Sequence, residues 1–144
     1  MAMNSPVLPK RIPQRAEVGA RVSFSRTITE ADVVLFVGVT WDVNPLHTDE
    51  TYARATRFGR RIVPGLLTAS LATHLGGLWA FMATEMHFEF LGPVYVGDTI
   101  TTTAEVIDVV QEKGFVCLRI ECVNAEGKAV LRGDVAGFPG RHEE

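Results

Sequence analysis

Cysteine is scarce in this 144-residue chain, with only Cys117 and Cys122 present. They stand five apart in a strand-like run, an odd offset that sets them on opposite faces of a strand and rules out a bridge between them. A disulfide scaffold and a cysteine metal knuckle are therefore excluded, and a reducing cytoplasm fits. Charge of one sign is also lacking. The 14 basic and 17 acidic residues leave a net charge of −3, and the basic ones are scattered, so there is no electrostatic case for nucleic acid. Arg54, Arg57, Arg60 and Arg61 form the one local cluster, suited either to phosphates or to a solvated helix end. No phosphate-cradling glycine loop, dinucleotide fingerprint or metal-ligand spacing occurs, so neither a bound cofactor nor a metal is expected. Residues Met1 to Gln14 hold three prolines and no apolar core, which reads as an extended arm and not as a secretory signal.

The length fits a single domain over 1–144, with the arm over 1–17 and a polar tail over 139–144. One apolar run stands out: Ile62 to Thr84 contains no Asp, Glu, Lys or Arg. It is long enough to cross a bilayer. Pro64–Gly65, Gly76–Gly77, His74 and four hydroxyl side chains speak against that, and the strands elsewhere can cover such a helix. A helix wrapped by protein is the expectation.

The hydrophobic pattern gives a first strand over Ala20–Ile28. Thr29 then caps a short helix whose Val33–Val37 run reads as largely buried and which ends near Gly38. The segment Asp42–His47 reads as loop, and a short helix capped by Thr48 covers about Asp49–Ala55. Pro64 opens the long apolar helix, which runs to about Leu78 or Trp79. Met86, Phe88 and Phe90 alternate with His87 and Glu89 as a half-buried strand. A kink at Gly92–Pro93 and a turn at Gly97–Asp98 precede three strands over Thr99–Val110, Phe115–Val123 and Lys128–Phe138. Helices followed by a run of strands indicate an α+β fold: an antiparallel sheet, about four strands of it a meander, wrapped around one long apolar helix in the hotdog manner.

The chemistry concentrates in Asp42-Val43-Asn44-Pro45-Leu46-His47. A carboxylate and an imidazole on a bend at Pro45 can meet at one point, where both accept protons near neutrality. Held on either side of a water, they can deprotonate it. The Asn44 amide can orient that water or fix the imidazole tautomer. Gly65 offers the complementary part, a helix N–H without an intrahelical partner at the positive end of the macrodipole. Thr73, two turns further on, can bond either Asp42 or its own helix carbonyl. His74 reads as a packing histidine, and Trp79, Phe81, Phe88 and Tyr95 as core or as the lining of an acyl tunnel.

With these residues in place, the sequence resembles the MaoC-like dehydratases and, within them, the (R)-specific enoyl-CoA hydratases of the hydratase 2 type. The likeness spans about Val22–Phe138. It rests on Asp42–His47, on Ile62-Val63-Pro64-Gly65-Leu66-Leu67-Thr68-Ala69-Ser70, and on Phe90–Thr99. It implies a hotdog fold, a dimer or higher homo-oligomer, a cytoplasmic setting and trans-2-enoyl thioester substrates. Asp42 and His47 become the catalytic pair, Asn44 their partner, Gly65 the oxyanion donor, and Thr73 the hydroxyl supporting the aspartate. Pro64 departs from the histidine that often precedes the glycine in this family, which bears on substrate preference.

The expected activity is reversible hydration of a 2-enoyl-CoA to a 3-hydroxyacyl-CoA, with no cofactor and with the CoA thioester as substrate. Dehydration of an acyl-carrier-protein substrate or of a specialised CoA ester would use the same residues. Thioesterase action is a third possibility, and a silent acyl-thioester-binding partner subunit belongs to a different class.

Overall fold

The computed structural model describes residues 16–140. The chain runs β1 (Arg21–Thr27), α1 (Glu30–Thr40), α2 (Pro45–Thr48), α3 (Glu50–Arg54), α4 (Gly65–Ser70), α5 (Ala72–Leu78), β2 (Met82–Phe90), β3 (Thr99–Val110), β4 (Phe115–Val123) and β5 (Ala129–Phe138). The strands form one antiparallel sheet in the order β1-β3-β4-β5-β2. Most of the expected arm and tail lie outside the described residues, although Ala16 packs against the core.

The fold is α+β and of the hotdog kind, with the two helices α4 and α5 against one face of the curved sheet. Alternation in β3 and β4 produces that face: Ile100, Thr102, Ala104 and Val106, then Val116, Leu118, Ile120 and Cys122, are buried while their neighbours are not. Leu67, Ala69, Leu71, Leu75 and Trp79 from the helices complete the cluster. Cys122 lies on the core face and Cys117 on the other, both unpaired. Only β3, β4 and β5 are a meander. β2 pairs with β5 at the far edge, so the expected four-strand meander is one strand too long. Gly133 and Gly137 make that pairing close. A Cβ on either would lie 2.2 Å from the His87 carbonyl oxygen or 2.0 Å from that of Met82.

Three expectations about helices need correction. The long apolar helix is two, broken at Leu71, where the bonds from Leu71 N–H to Thr68 O (3.2 Å) and from His74 N–H to Leu71 O (3.2 Å) tighten to three-residue spacing. The Ser70 and Thr73 hydroxyls donate to the carbonyls of Leu67 and Ser70, both at 2.6 Å, and such back-bonding bends helices. Nor is this pair wrapped all round, since Leu66, Thr73, His74 and Gly77 are exposed. No helix among the described residues is long and apolar enough to cross a membrane. The first helix runs on to Thr40, and of Val33–Val37 only Val33 is fully buried. A run of five apolar residues spreads around the whole helix circumference, whereas the core meets one side. Likewise Met86 and Phe90 of the edge strand face solvent and only Phe88 is half-buried.

The N-terminus of α1 is a capping box. Asp32 N–H donates to Thr29 Oγ1 (3.3 Å) and Thr29 N–H to Asp32 Oδ2 (2.8 Å), while Arg26 pairs with Asp32 from β1. The Thr29 backbone N–H, aided by the Thr29 hydroxyl and Arg26, holds the Asp32 carboxyl below the usual carboxylate range. This stabilisation is present above that range and is lost as the pH falls through the lowered value. Asp32→Ala should cost about 1 kcal/mol, a typical cap loss, read as a lower urea midpoint at neutral pH. The gap between variant and parent should close on acidification.

Candidate active site

How Asp42, its side chain part-exposed, reaches the cavity wall begins at the end of α1. Trp41 caps that helix in the left-handed region (φ 57°), its N–H on the Val37 carbonyl at 2.8 Å. A bulky side chain at positive φ costs about 1–2 kcal/mol, and here it swings the chain sharply into Asp42. Asp42 Oδ1 then accepts from Asn44 N–H at 3.2 Å, and Asn44 Oδ1 accepts from Leu46 N–H at 3.0 Å. The second of these bonds makes Asn44 the N-cap of α2, with Pro45 at the first helical position. The expected loop is therefore partly helical, and His47 sits on its single turn. Asp49, not Thr48, caps α3, through Tyr52 N–H at 3.0 Å.

His47 is 8% exposed. Its Nδ1 lies 2.8 Å from the Ile62 carbonyl oxygen. A carbonyl only accepts, so Nδ1 carries a proton, and in the neutral form of the ring Nε2 is then bare. That nitrogen lies 3.8 Å from Asp42 Oδ2. Two acceptors at this separation repel unless a donor lies between them, and the two O–H groups of one water fit that need.

The peptide around Ile62 explains how distant parts converge. Ile62 N–H donates to the Leu46 carbonyl (3.0 Å), Val63 N–H to the Val94 carbonyl (2.7 Å), and Ile62 bridges to Tyr95. Two residues on, Pro64 is the N-cap of α4 and Gly65 its first residue, one position later than a helix opened by Pro64 itself. Among the described residues no side chain caps this end and the Gly65 N–H has no partner. Asp42, His47, Pro64 and Gly65 line one cavity of about 810 Å³, together with Thr68, Arg57 and Tyr95. The apolar Leu66 is shared with a second cavity of about 690 Å³ between helices and sheet, which Trp79, Phe81 and Phe88 line.

Other expected members behave differently. Asn44 shapes the loop through its backbone N–H and its cap, and its amide has no contact with the imidazole. Thr73 donates to Ser70 O and borders the second cavity, so it does not support Asp42. His74 packs against Phe24, with ring centres 4.4 Å apart and the rings tilted by 47°. The arginine cluster divides. Arg54 pairs with Glu50, and Arg61 with Glu30 (2.7 Å) and Glu50 (3.3 Å). Arg57 and Arg60 lie over the rings of Phe58 and Tyr95 and have no carboxylate partner among the described residues.

Arg61 is a positioning residue that the sequence alone did not reveal. It also donates to the His47 carbonyl (3.2 Å), so α1, α2 and α3 are tied together behind the imidazole. Its hydrogen bond is the main reason the Glu30 carboxyl is held below the usual range. In the sequence it was one of four arginines with nothing to single it out. The Ile62 carbonyl, being backbone, carries no sequence signal at all.

The chain is similar to known proteins over most of its length. The MaoC like domain matches residues 14–124. An (R)-specific enoyl-CoA hydratase from Rhodospirillum rubrum is 40% identical over 121 residues, 81% of this chain and 83% of that protein. A mitochondrial 3-hydroxyacyl-[acyl-carrier-protein] dehydratase from Solanum lycopersicum is 30% identical over 129 residues, 85% of this chain and 76% of that protein. Among solved structures, an (R)-hydratase from A. caviae superposes with a TM-score of 0.84 at 30% identity, covering 89% of this chain and all of that one.

Proposed function

The chain belongs to the MaoC-like domain family, and from that footing we propose that it is a hydro-lyase adding water reversibly to a trans-2-enoyl-CoA to give the (R)-3-hydroxyacyl-CoA. One observation carries the reading: a proton-bearing Nδ1 pinned by Ile62 leaves a bare Nε2 opposite Asp42, in the cavity that the uncapped start of α4 also enters. The pair holds a water by both hydrogens, with its oxygen lone pairs turned toward the substrate. As that oxygen bonds to Cβ, the pair takes one proton and the π electrons move toward the thioester oxygen. The Gly65 N–H stabilises the enolate formed. The pair returns a proton to Cα on the same face, which completes the addition of H and OH and restores the site. No bound cofactor is required.

Two features support CoA as carrier. The second, apolar cavity beyond Leu66 can take an acyl chain, and the uncompensated Arg57 and Arg60 near the first suit phosphates. The same arginines would also suit an acidic carrier protein, which favours the acyl-carrier-protein substrate as the second reading. A second copy of the chain would cover the exposed Val34, Leu35, Val39 and Trp41 around α1 and the apolar edge of β2, so we assign a homo-oligomer, measurable as mass in solution. Two unpaired cysteines suit the cytoplasm.

The test is loss of enoyl absorbance from crotonyl-CoA, with chiral analysis of the product and a free-thiol assay. Turnover to the (R) alcohol without thiol release is expected. Thiol release would establish a thioesterase, and binding without turnover a silent partner subunit. Arg57→Ala should raise KM for the CoA ester roughly fivefold, about 1 kcal/mol, with little change in kcat, and added salt should shrink the difference. If KM rises only with carrier-protein thioesters, the second reading takes over.

A further inference from the structure

The Thr68 hydroxyl is buried, with the residue 3% exposed, yet it has no hydrogen-bond partner, and among the described residues no other buried side-chain oxygen or nitrogen is left so. Ser70 and Thr73, on the same helical stretch, both donate to carbonyls three residues back. Thr68 does not. The carbonyl one turn behind it, that of Pro64, already accepts from Leu67 N–H (3.0 Å) and Thr68 N–H (3.4 Å), so both its lone pairs are engaged.

An orphaned buried hydroxyl destabilises a fold, and native proteins retain few of them. Thr68 lines the cavity that Asp42, His47 and Gly65 also line, its hydroxyl oxygen itself being covered. Thr68 is three residues beyond Gly65, on the same face of α4, and helical side chains lean toward the N-terminus of their helix. That lean sets the Thr68 side chain toward the turn that Gly65 opens.

We infer that Thr68 Oγ1 donates a second hydrogen bond to the thioester oxygen beside the Gly65 N–H, so that two donors receive the enolate. The inference rests on the hydratase reading. A free hydroxyl next to a free N–H calls for an acceptor, and among substrate atoms the thioester oxygen gains negative charge as the reaction proceeds. Donation to the attacking water is the poorer use, because it would draw electron density from the oxygen and weaken it as a nucleophile. The hydrogen bond strengthens in the transition state, so its loss appears in kcat.

The experiment compares Thr68→Val, which keeps shape and removes the hydroxyl, with Thr68→Ser, which keeps the hydroxyl. Thr68→Val should lower kcat on crotonyl-CoA roughly 10- to 100-fold, towards the lower end for an oxyanion donor, with KM within about twofold. Its melting temperature should equal or exceed that of the parent, because an unsatisfied polar group has gone. Thr68→Ser should stay within about threefold of the parent in kcat. Parental kcat in Thr68→Val overturns the inference while leaving the hydratase reading intact. So does equal impairment of both variants, which would trace the effect to the methyl group, or a rise in KM alone. A parent chain that does not hydrate enoyl thioesters overturns the underlying reading and this inference with it.

Discussion

Replacing His47 with glutamine, or Asp42 with asparagine, should lower kcat for enoyl-CoA hydration about 10²–10⁴-fold, the range for a positioned acid–base group. Each change removes one of the two acceptors that hold the water. The glutamine can still donate to the Ile62 carbonyl, so α2 keeps its place, but no bare ring nitrogen then faces Oδ2. The asparagine keeps an oxygen for Asn44 N–H while losing the charge. Far-UV circular dichroism and melting temperature should stay close to the parent in both. The double variant should be scarcely worse than either single one, because groups that handle one proton act as a unit and their losses do not add. Turnover near the parental rate in either single variant would falsify the assignment.

Gly65→Ala keeps the N–H but sets a methyl group and a displaced ring over it, and is expected to lower kcat roughly 10²- to 10³-fold, as much as the loss of an oxyanion donor, while the chain still folds. A Cβ there would lie 2.8 Å from Phe90 Cε1 and 2.9 Å from Cδ1, too close for the ring to remain. Phe90 is 53% exposed on an edge strand, so the ring can swing aside without unfolding the protein. It also lines the cavity, however, and the space above the Gly65 N–H changes with it. Removing the ring separates the two effects. In Gly65→Ala combined with Phe90→Ala, a crowding defect should be recovered at least tenfold, about 1.4 kcal/mol by the rate relation. If activity is parental in Gly65→Ala alone, the thioester oxygen does not use the space over this N–H that the methyl group and the displaced ring would fill.

Much of the site was legible because its parts are local. Asp42, Asn44 and His47 fall within one turn of chain, where proline and an Asx turn limit what the backbone can do, and Gly65 follows a proline at a helix start. Their residue types alone state the chemistry. The N-cap at Thr29 and the strands over 99–138 were readable for the same reason, since capping and period-2 alternation depend on neighbours in sequence. Long-range roles were not readable. Arg61 became distinct from Arg57 and Arg60 only when Glu30, Glu50 and the His47 carbonyl gathered around it. Thr73 matched in spacing but bonded locally, because a carbonyl three residues back was nearer than any carboxylate.

The sequence by itself determined which groups are present, the α+β class with its helices ahead of its strands, and the lack of any partner for a disulfide. The tertiary structure alone decided two matters: the tautomer of His47 through a backbone carbonyl 15 residues away, and the burial of the Thr68 hydroxyl without a partner beside the cavity. The physical reason is common to both. A side chain's chemistry is intrinsic, but whether its donor or acceptor is already taken depends on which carbonyls and hydroxyls the fold brings within about 3 Å, and that is a property of packing between distant segments.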